Sequence, residues 1–221
     1  MIGFQIHKRT RKVDAGLAAR FRGLPVANIS DCMSRMTAGG ARLRPMHAGG
    51  ALAGPAFTVK TRPGDNLMIH KALDLAEPGD VIVVDGGGDL TNALIGELML
   101  AHAVRRGVAG LVLDGAIRDY DSIHAGQFPV FAAGVTHRGP YKDGPGEINC
   151  AIAIDGMVVE PGDLIVGDGD GVLCVPYAQA EELCKAAKAK NDAEVKQFAA
   201  IQAGTSDRAW VDATLQRLGV S

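Results

Sequence analysis

Three side chains in one stretch of this sequence have the types and spacing to do chemistry together. Glu97 is followed, after twenty intervening residues, by the adjacent pair Arg118-Asp119. Carboxylates supply hard oxygen ligands suited to Mg²⁺ or Mn²⁺, and a guanidinium binds a carboxylate in a two-pronged way. Brought together, these groups would hold one divalent ion beside one small acid. The same groups would equally close a loop through an Arg–Asp or Arg–Glu salt bridge, and spacing alone does not separate the two uses.

The elements that must position them can be read from pattern. Val81–Asp85 is a short apolar strand ending in an acid, and Gly86-Gly87-Gly88 is its turn. A helix lies somewhere within 91–106, with Arg105 and Arg106 in its last turn and Gly107 as its stop. Leu111–Asp114 is the next buried strand. Strand, turn, helix and strand make a βαβ unit, which closes parallel sheet. Glu97 then falls in or near the first turn of the helix, and Arg118-Asp119 follows the second strand. Both sit near carboxyl ends of neighbouring parallel strands, where open α/β sheets place ligands. The free N–H groups of that helix start also favour an anion.

Further elements flank this unit. Residues 51–61 read as a strand interrupted by Gly54-Pro55, and residues 66–76 as a helix stopped by Pro78-Gly79. Residues 129–176 are β-rich, a long helix spans roughly 178–203, and a short tail carries Trp210. Glu77-Pro-Gly-Asp80 before one apolar run is echoed by Glu160-Pro-Gly-Asp163 before another. Shared turn grammar explains the echo, and so do two related strand entries into a barrel-like domain. The class is α/β, with substantial antiparallel content in the second half.

On the long helix, Leu183, Ala187, Phe198 and Ile201 fall within about 60° of one another at 100° per residue, and Glu194 lies inside that apolar stripe. A carboxylate there is costly unless paired or metal-bound. An i,i+4 pair with Lys190 is one solution, and delivery of a ligand to a neighbouring subunit is the other.

Composition bounds the rest. In 221 residues, Lys+Arg 23 against Asp+Glu 25 leaves a net charge of −2, so no basic excess is available to hold nucleic acid. A hydrophobic content of 47% with 22% charged excludes a mainly disordered chain. Aromatics at 5% are too few for a base-stacking surface, while 29 glycines imply many tight turns. Cys32, Cys150, Cys174 and Cys184 form no C-x-x-C pair and read as free thiols of a reducing compartment. The start of the chain carries charges where a signal peptide needs an apolar run, and no stretch is long and apolar enough to span a bilayer, so a cytoplasmic protein is expected. His7, Lys8, Arg9, Arg11 and Lys12 read as a solvated basic arm.

Spacing rejects several motifs. Thr91 stands where a dinucleotide fingerprint needs glycine, no Walker A segment occurs, and no G-x-S-x-G elbow surrounds a serine. Asp168-Gly-Asp170-Gly opens like a calcium loop, but Val172 and Gln179 stand where further ligands are needed, so it is expected to be a hairpin turn.

Glu97-x20-Arg118-Asp119 resembles the acid-x20-Arg-Asp signature of the metal-dependent class II pyruvate aldolases acting on 4-hydroxy-4-methyl-2-oxoglutarate and 4-carboxy-4-hydroxy-2-oxoadipate. The same family includes the regulator of ribonuclease activity A. The likeness extends over Ile29-Ser-Asp31, Asp65-Asn-Leu67, Glu77-Pro-Gly-Asp80, Gly115-Ala-Ile-Arg-Asp119, Gly139-Pro, Gly144-Pro-Gly-Glu-Ile-Asn149 and Asp168-Gly-Asp-Gly171. It implies a single β/β/α domain of the phosphohistidine-swivelling type over residues 1–221, assembled as trimers or hexamers, with the long C-terminal helix packing on a neighbouring subunit.

By that resemblance, Asp119 is the direct ligand of Mg²⁺ or Mn²⁺, Glu97 holds it through water, and Glu194 reaches it through water from an adjacent subunit. Arg118 binds the pyruvyl carboxylate and oxygen, the amides of Leu98 and Met99 seat pyruvate, and Asn66 and Lys142 line the pocket. The signature acid is commonly aspartate, and Glu97 is one methylene longer.

The implied reaction is retro-aldol cleavage of a 4-hydroxy-2-oxo acid to pyruvate and a second oxo acid, with oxaloacetate decarboxylation as a side activity. Water ordered by Glu97 and the metal is the candidate base. The alternatives are a non-enzymatic regulator that binds an endoribonuclease, and a lyase or decarboxylase for another 2-oxo acid.

Overall fold

The computed structural model describes residues 3–36 and 39–220; Met1, Ile2, Thr37, Ala38 and Ser221 lie outside them. In chain order the elements are β1 (Phe4–Ile6), α1 (Ala15–Phe21), α2 (Val26–Cys32), β2 (Arg44–Pro45), β3 (Leu52–Thr61), α3 (Leu67–Leu75), β4 (Val81–Asp85), β5 (Ala93–Ile95), α4 (Glu97–Arg105) and β6 (Gly110–Ile117). There follow α5 (Tyr120–His124), β7 (Val130–Val135), β8 (Gly146–Ile148), β9 (Ile152–Ile154), β10 (Met157–Val159), β11 (Leu164–Asp168), β12 (Gly171–Val175), a 3-10 turn (Tyr177–Gln179), α6 (Ala180–Gln202) and α7 (Ala209–Arg217).

The centre of the molecule is the parallel run β3-β4-β6-β7, extended at one edge by β8 and β1 and at the other by β2. Because β4 and β6 carry unbroken apolar runs, Val81–Val84 and Leu111–Leu113, both faces of this sheet must be covered. Val59, Ile82, Val84, Leu111 and Leu113 pack against Met68, Ile69 and Leu73 of α3 and Met99 and Ala103 of α4. Ala56, Val81, Val83, Val112 and Phe131 point the other way, against Ile152, Ile154, Met157 and Val159 of the β9–β10 hairpin and Ile165 and Cys174 of β11 and β12. Beyond these, Leu164, Val166, Leu173 and Val175 meet α1, α2 and the first turns of α6. The layers are therefore helix, sheet, sheet and helix, an α/β architecture with the expected β/β/α core and one further helical layer.

The βαβ unit stands as the spacing predicts, β4 pairing parallel with β6, with the short β5 inserted ahead of α4. The interruption expected at Gly54-Pro55 is absent, because β3 runs unbroken and changes partner there. Residues 52–55 pair antiparallel with β11, and residues 56–60 pair parallel with β4. Proline's missing N–H falls at the handover, and Gly54 is needed because a Cβ would overlap the carbonyl oxygen of Gly79. The Asp168-Gly-Asp-Gly segment is the β11–β12 hairpin turn.

The echoed turns flank this handover, since β4 and β11, the strands they launch, both pair with β3. In each, the aspartate accepts the backbone N–H of the glutamate three residues earlier: Glu77 N to Asp80 at 2.9 Å and Glu160 N to Asp163 at 3.1 Å. The basic arm expected to be solvated is instead locked onto them. Arg9, its side chain only 8% exposed, lies 2.9 Å from the fully buried Asp80 and stacks over Phe57. Arg11 pairs with Glu160 and lies 3.5 Å from Asp163, and Lys12 pairs with Glu77. A carboxylate buried for its backbone hydrogen bond needs a counter-charge, which the arm supplies.

No helix among the described residues is long and apolar enough to cross a membrane.

Candidate active site

β6 ends at Ile117, and the chain turns so sharply that Asp119 adopts a left-handed backbone, with φ 57° and ψ 41°, before α5 begins. Such a conformation costs a non-glycine residue about 1–3 kcal/mol and persists only where its surroundings impose it. The cause is visible across the turn. Asp119 Oδ2 accepts the backbone N–H of Glu97 at 3.0 Å, capping the first turn of α4 from a distant part of the chain. The N-cap residue of that helix, Gly96, has no side chain to do so, and a Cβ there would overlap Asp119 Oδ2. The helix thus leaves the N–H groups of Leu98 and Met99 without intrahelical acceptors. A carboxylate and a helix dipole meet at one point.

Arg118 is tied to the same place through its backbone, which donates to Ile95 O at 3.0 Å. Its guanidinium lies 3.7 Å from Asp119 Oδ2, beside Gly139. The carboxylate of Glu97 accepts the hydroxyl of Ser122 at 2.8 Å, which turns it toward α5.

The opposite supports are α3 and the loop after β7. Asp65 is fully buried and accepts four hydrogen bonds: Leu67 N on Oδ1, and Asp143 N, Gly144 N and Arg62 on Oδ2. It therefore joins the start of α3 to the loop carrying Pro140 and Lys142. Asn66, 2% exposed, donates its amide nitrogen to Leu94 O at 3.0 Å and to Met99 Sδ at 3.2 Å. Its Oδ1 is buried and has no hydrogen-bond partner.

Asn66, Leu98, Met99, Arg118, Asp119 and Lys142 thus border one cavity of about 160 Å³, together with His70, Ile95, Gly96 and Pro140. The volume suits a small organic acid, well below the 300–1,000 Å³ typical of drug-sized ligands. His70, Ser122 and the cap role of Gly96 are additions that the sequence reading missed. His70 had a readable signal, since it lies four residues after Asn66 on the same helix face. Partial burial at the edge of the cavity and the charge of Lys142 push its imidazole below the ordinary histidine range.

Glu194 is not part of this cavity within one chain. The expected stripe is buried in its first half, where Leu183 and Ala187 pack on the core, and open in its second: Glu194 is 46% exposed and pairs with Lys190 at 3.1 Å, while Phe198 and Ile201 are 62% and 54% exposed. The physical reason is length, because α6 runs past the last element of its own chain that could cover it. Asn28 and then Lys190 hold the Glu194 carboxyl below the usual carboxylate range.

The donor set fits a hard divalent ion. Among the described residues no three His, Cys, Asp or Glu side chains converge, but Mg²⁺ characteristically takes one or two carboxylates and fills its remaining positions with water and substrate. Asp119 borders the cavity, and Glu97, whose backbone N–H it accepts and whose own carboxylate is bonded to Ser122 outside the cavity lining, is the second carboxylate at this end of α4.

The chain is similar to known proteins in sequence and fold. A Halalkalibacterium halodurans protein named "Putative 4-hydroxy-4-methyl-2-oxoglutarate aldolase" is 43% identical over 171 residues, which is 77% of this chain and 81% of that protein. A crystal structure from Pseudomonas syringae pv. tomato matches with a TM-score of 0.79 at 27% identity, covering 88% of this chain and 96% of that one. The RNA-processing inhibitor RraA from Thermus thermophilis matches with a TM-score of 0.64 at 30% identity, covering 69% and 92%. The sequence profile of the RraA-like family, described as Aldolase/RraA, matches residues 26–174, and the chain belongs to that family.

Proposed function

We propose that this protein is a divalent-metal-dependent aldolase that cleaves a 4-hydroxy-2-oxo acid, of the 4-hydroxy-4-methyl-2-oxoglutarate or 4-carboxy-4-hydroxy-2-oxoadipate type, to pyruvate and a second oxo acid. The observation that carries this reading is the placement of Asp119 and Arg118 on the open N-terminus of α4, at a cavity sized for a small acid. Asp119 would hold Mg²⁺ or Mn²⁺ directly and Glu97 through water, with Glu194 of the partner subunit completing the site in a trimer or hexamer. The exposed apolar side chains of α6 support such an assembly. When bound, the ion supplies Lewis-acid stabilisation of the pyruvyl oxygens.

The chain's own groups account for the rest. Breaking the C3–C4 bond leaves negative charge on the C2 oxygen, and the Arg118 guanidinium stabilises charge that grows only in the transition state. The amides of Leu98 and Met99 receive the substrate carboxylate at the helix start. Decarboxylation of oxaloacetate would use the same enolate stabilisation.

Pyruvate release from 4-hydroxy-4-methyl-2-oxoglutarate, followed with Mg²⁺ and after EDTA, tests the reading. Release that EDTA abolishes and Mg²⁺ or Mn²⁺ restores is expected, and no release from any 4-hydroxy-2-oxo acid would reject it. Gly96→Ala provides an independent check. Its backbone, φ −144° and ψ −169°, is open to alanine, but the new Cβ must displace the Asp119 carboxylate. A fall in kcat/KM of about 10²-fold is expected, the usual effect of displacing a reacting group by about 1 Å, with a melting temperature only about 2–4 °C lower from the disturbed cap on α4.

A regulator reading is favoured by the likeness to the Thermus inhibitor. It predicts retention of an endoribonuclease on the immobilised protein that Arg118→Ala does not disturb.

A further inference from the structure

Resting on the aldolase reading, we propose that His70 is the general base of the cleavage, taking the C4 hydroxyl proton through one water whose other hydrogen is held by Asn66 Oδ1. Retro-aldol chemistry requires that proton to leave, Arg118 is a permanent cation, and His70 here takes the role that the sequence reading gave to water ordered by Glu97 and the ion.

The two residues share α3 and border the same cavity, joined by the hydrogen bond from His70 N to Asn66 O at 3.0 Å. Asn66 Nδ2 is committed to Leu94 O and Met99 Sδ, so the amide is held with Oδ1 as its free end. That oxygen is buried and unpartnered, and an acceptor in this state calls for a donor from inside the cavity. A water bound there has a second hydrogen to give and lone pairs to receive the substrate hydroxyl. The imidazole of His70 has no hydrogen-bond partner among the described residues and is available to that water.

Its electrostatic surroundings suit a base. The groups acting on it are Lys142 from the loop after β7, His102 from α4 and Asp74 from its own helix, with Arg118 and Asp119 bordering the same cavity. Burial and then Lys142 act against protonation, Asp74 opposes them, and His102 adds the smallest effect, again against protonation. The balance favours the neutral ring, the form that proton abstraction requires.

The step balances. The hydroxyl O–H bond breaks, its proton passes through the water to the imidazole, and its electron pair forms the C4 carbonyl. The C3–C4 bonding pair becomes the C2–C3 double bond, and the former C2 carbonyl pair moves onto the oxygen beside Arg118. The imidazolium, whose side chain reaches solvent at the mouth, releases its proton there, and C3 takes a proton from water to give pyruvate.

The test uses the full chain with Mg²⁺, comparing wild type with His70→Gln, His70→Ala and Asn66→Leu after melting curves establish folding. In the wild type, kcat/KM should fall as pH drops through a value below about 6.5, the ordinary histidine pKa, because the protonated ring cannot act. Both His70 variants should lose that acid limb and about 10²-fold in kcat, with added imidazole restoring part of the loss in His70→Ala. Asn66→Leu should lose about tenfold in kcat and keep the limb. His70 variants that keep the acid limb, or that turn over at the wild-type rate, overturn the proposal while leaving the aldolase reading intact. A wild type that releases no pyruvate overturns both.

Discussion

Arg118→Ala is expected to lower kcat for pyruvate release by about 10³-fold, with a melting temperature within about 2 °C of wild type. The magnitude is that of removing a fixed donor aimed at developing oxyanion charge, about 10²–10³, to which loss of the fork on the substrate carboxylate adds. The fold should be indifferent, because the side chain is half-exposed and its one ion pair, with Asp119 at 3.7 Å, is of the kind that contributes at most about 1 kcal/mol. Arg118→Lys should recover little. Lysine keeps the charge but presents a point donor where a planar fork lies between the Asp119 carboxylate and the Gly139 backbone. Steady-state kinetics beside thermal melts would check this, and a loss under tenfold would remove Arg118 from the chemistry.

The second large effect concerns stability. Asp65→Ala should destabilise the protein by about 3 kcal/mol, since it strands the buried N–H of Gly144 and leaves the half-buried N–H groups of Leu67 and Asp143 without their acceptor, an unpaired interior group costing about 1–3 kcal/mol. For a chain of this length that is a fall in melting temperature of about 10 °C. Activity should fall with it, because Asp65 adds to the backbone bonds between Tyr141 and residues 64 and 66 in binding the loop carrying Lys142 to the start of α3. Asp65→Asn retains one acceptor oxygen and should lie between. Melting by circular dichroism, with pyruvate release measured well below the transition, separates the two consequences. An Asp65→Ala protein as stable as wild type would show that these N–H groups find other partners.

Much of the scaffold was legible from short-range pattern. The run Val81–Asp85, the helix at 66–76 and the long helix near 178–203 were placed within a residue or two, because apolar periodicity and Pro-Gly stops act over a few positions. The pairing of β4 with β6 followed from the handedness and length of a βαβ connection. Glu97 and Arg118-Asp119 came together for the same reason, being at the carboxyl ends of strands that the connection makes neighbours.

Other features belong to tertiary structure alone. That Asp119 spends an oxygen on the helix start at Glu97, in a left-handed backbone, follows from a loop conformation no periodicity describes. The basic arm looked like a solvated face because its counter-charges, Asp80 and Asp163, lie far along the chain and are adjacent only once β3 has paired with both β4 and β11. Glu194 lay on an apolar stripe by angle, yet whether that stripe is covered depends on how far α6 outruns its own domain. The sequence by itself determined the strands, the helices and the residue types able to bind an ion and an acid, since those depend on local periodicity and side-chain chemistry. The folded structure decided which carboxylates serve as caps and counter-ions and which of them border the cavity, because charge compensation is settled by distance in space and not by distance along the chain.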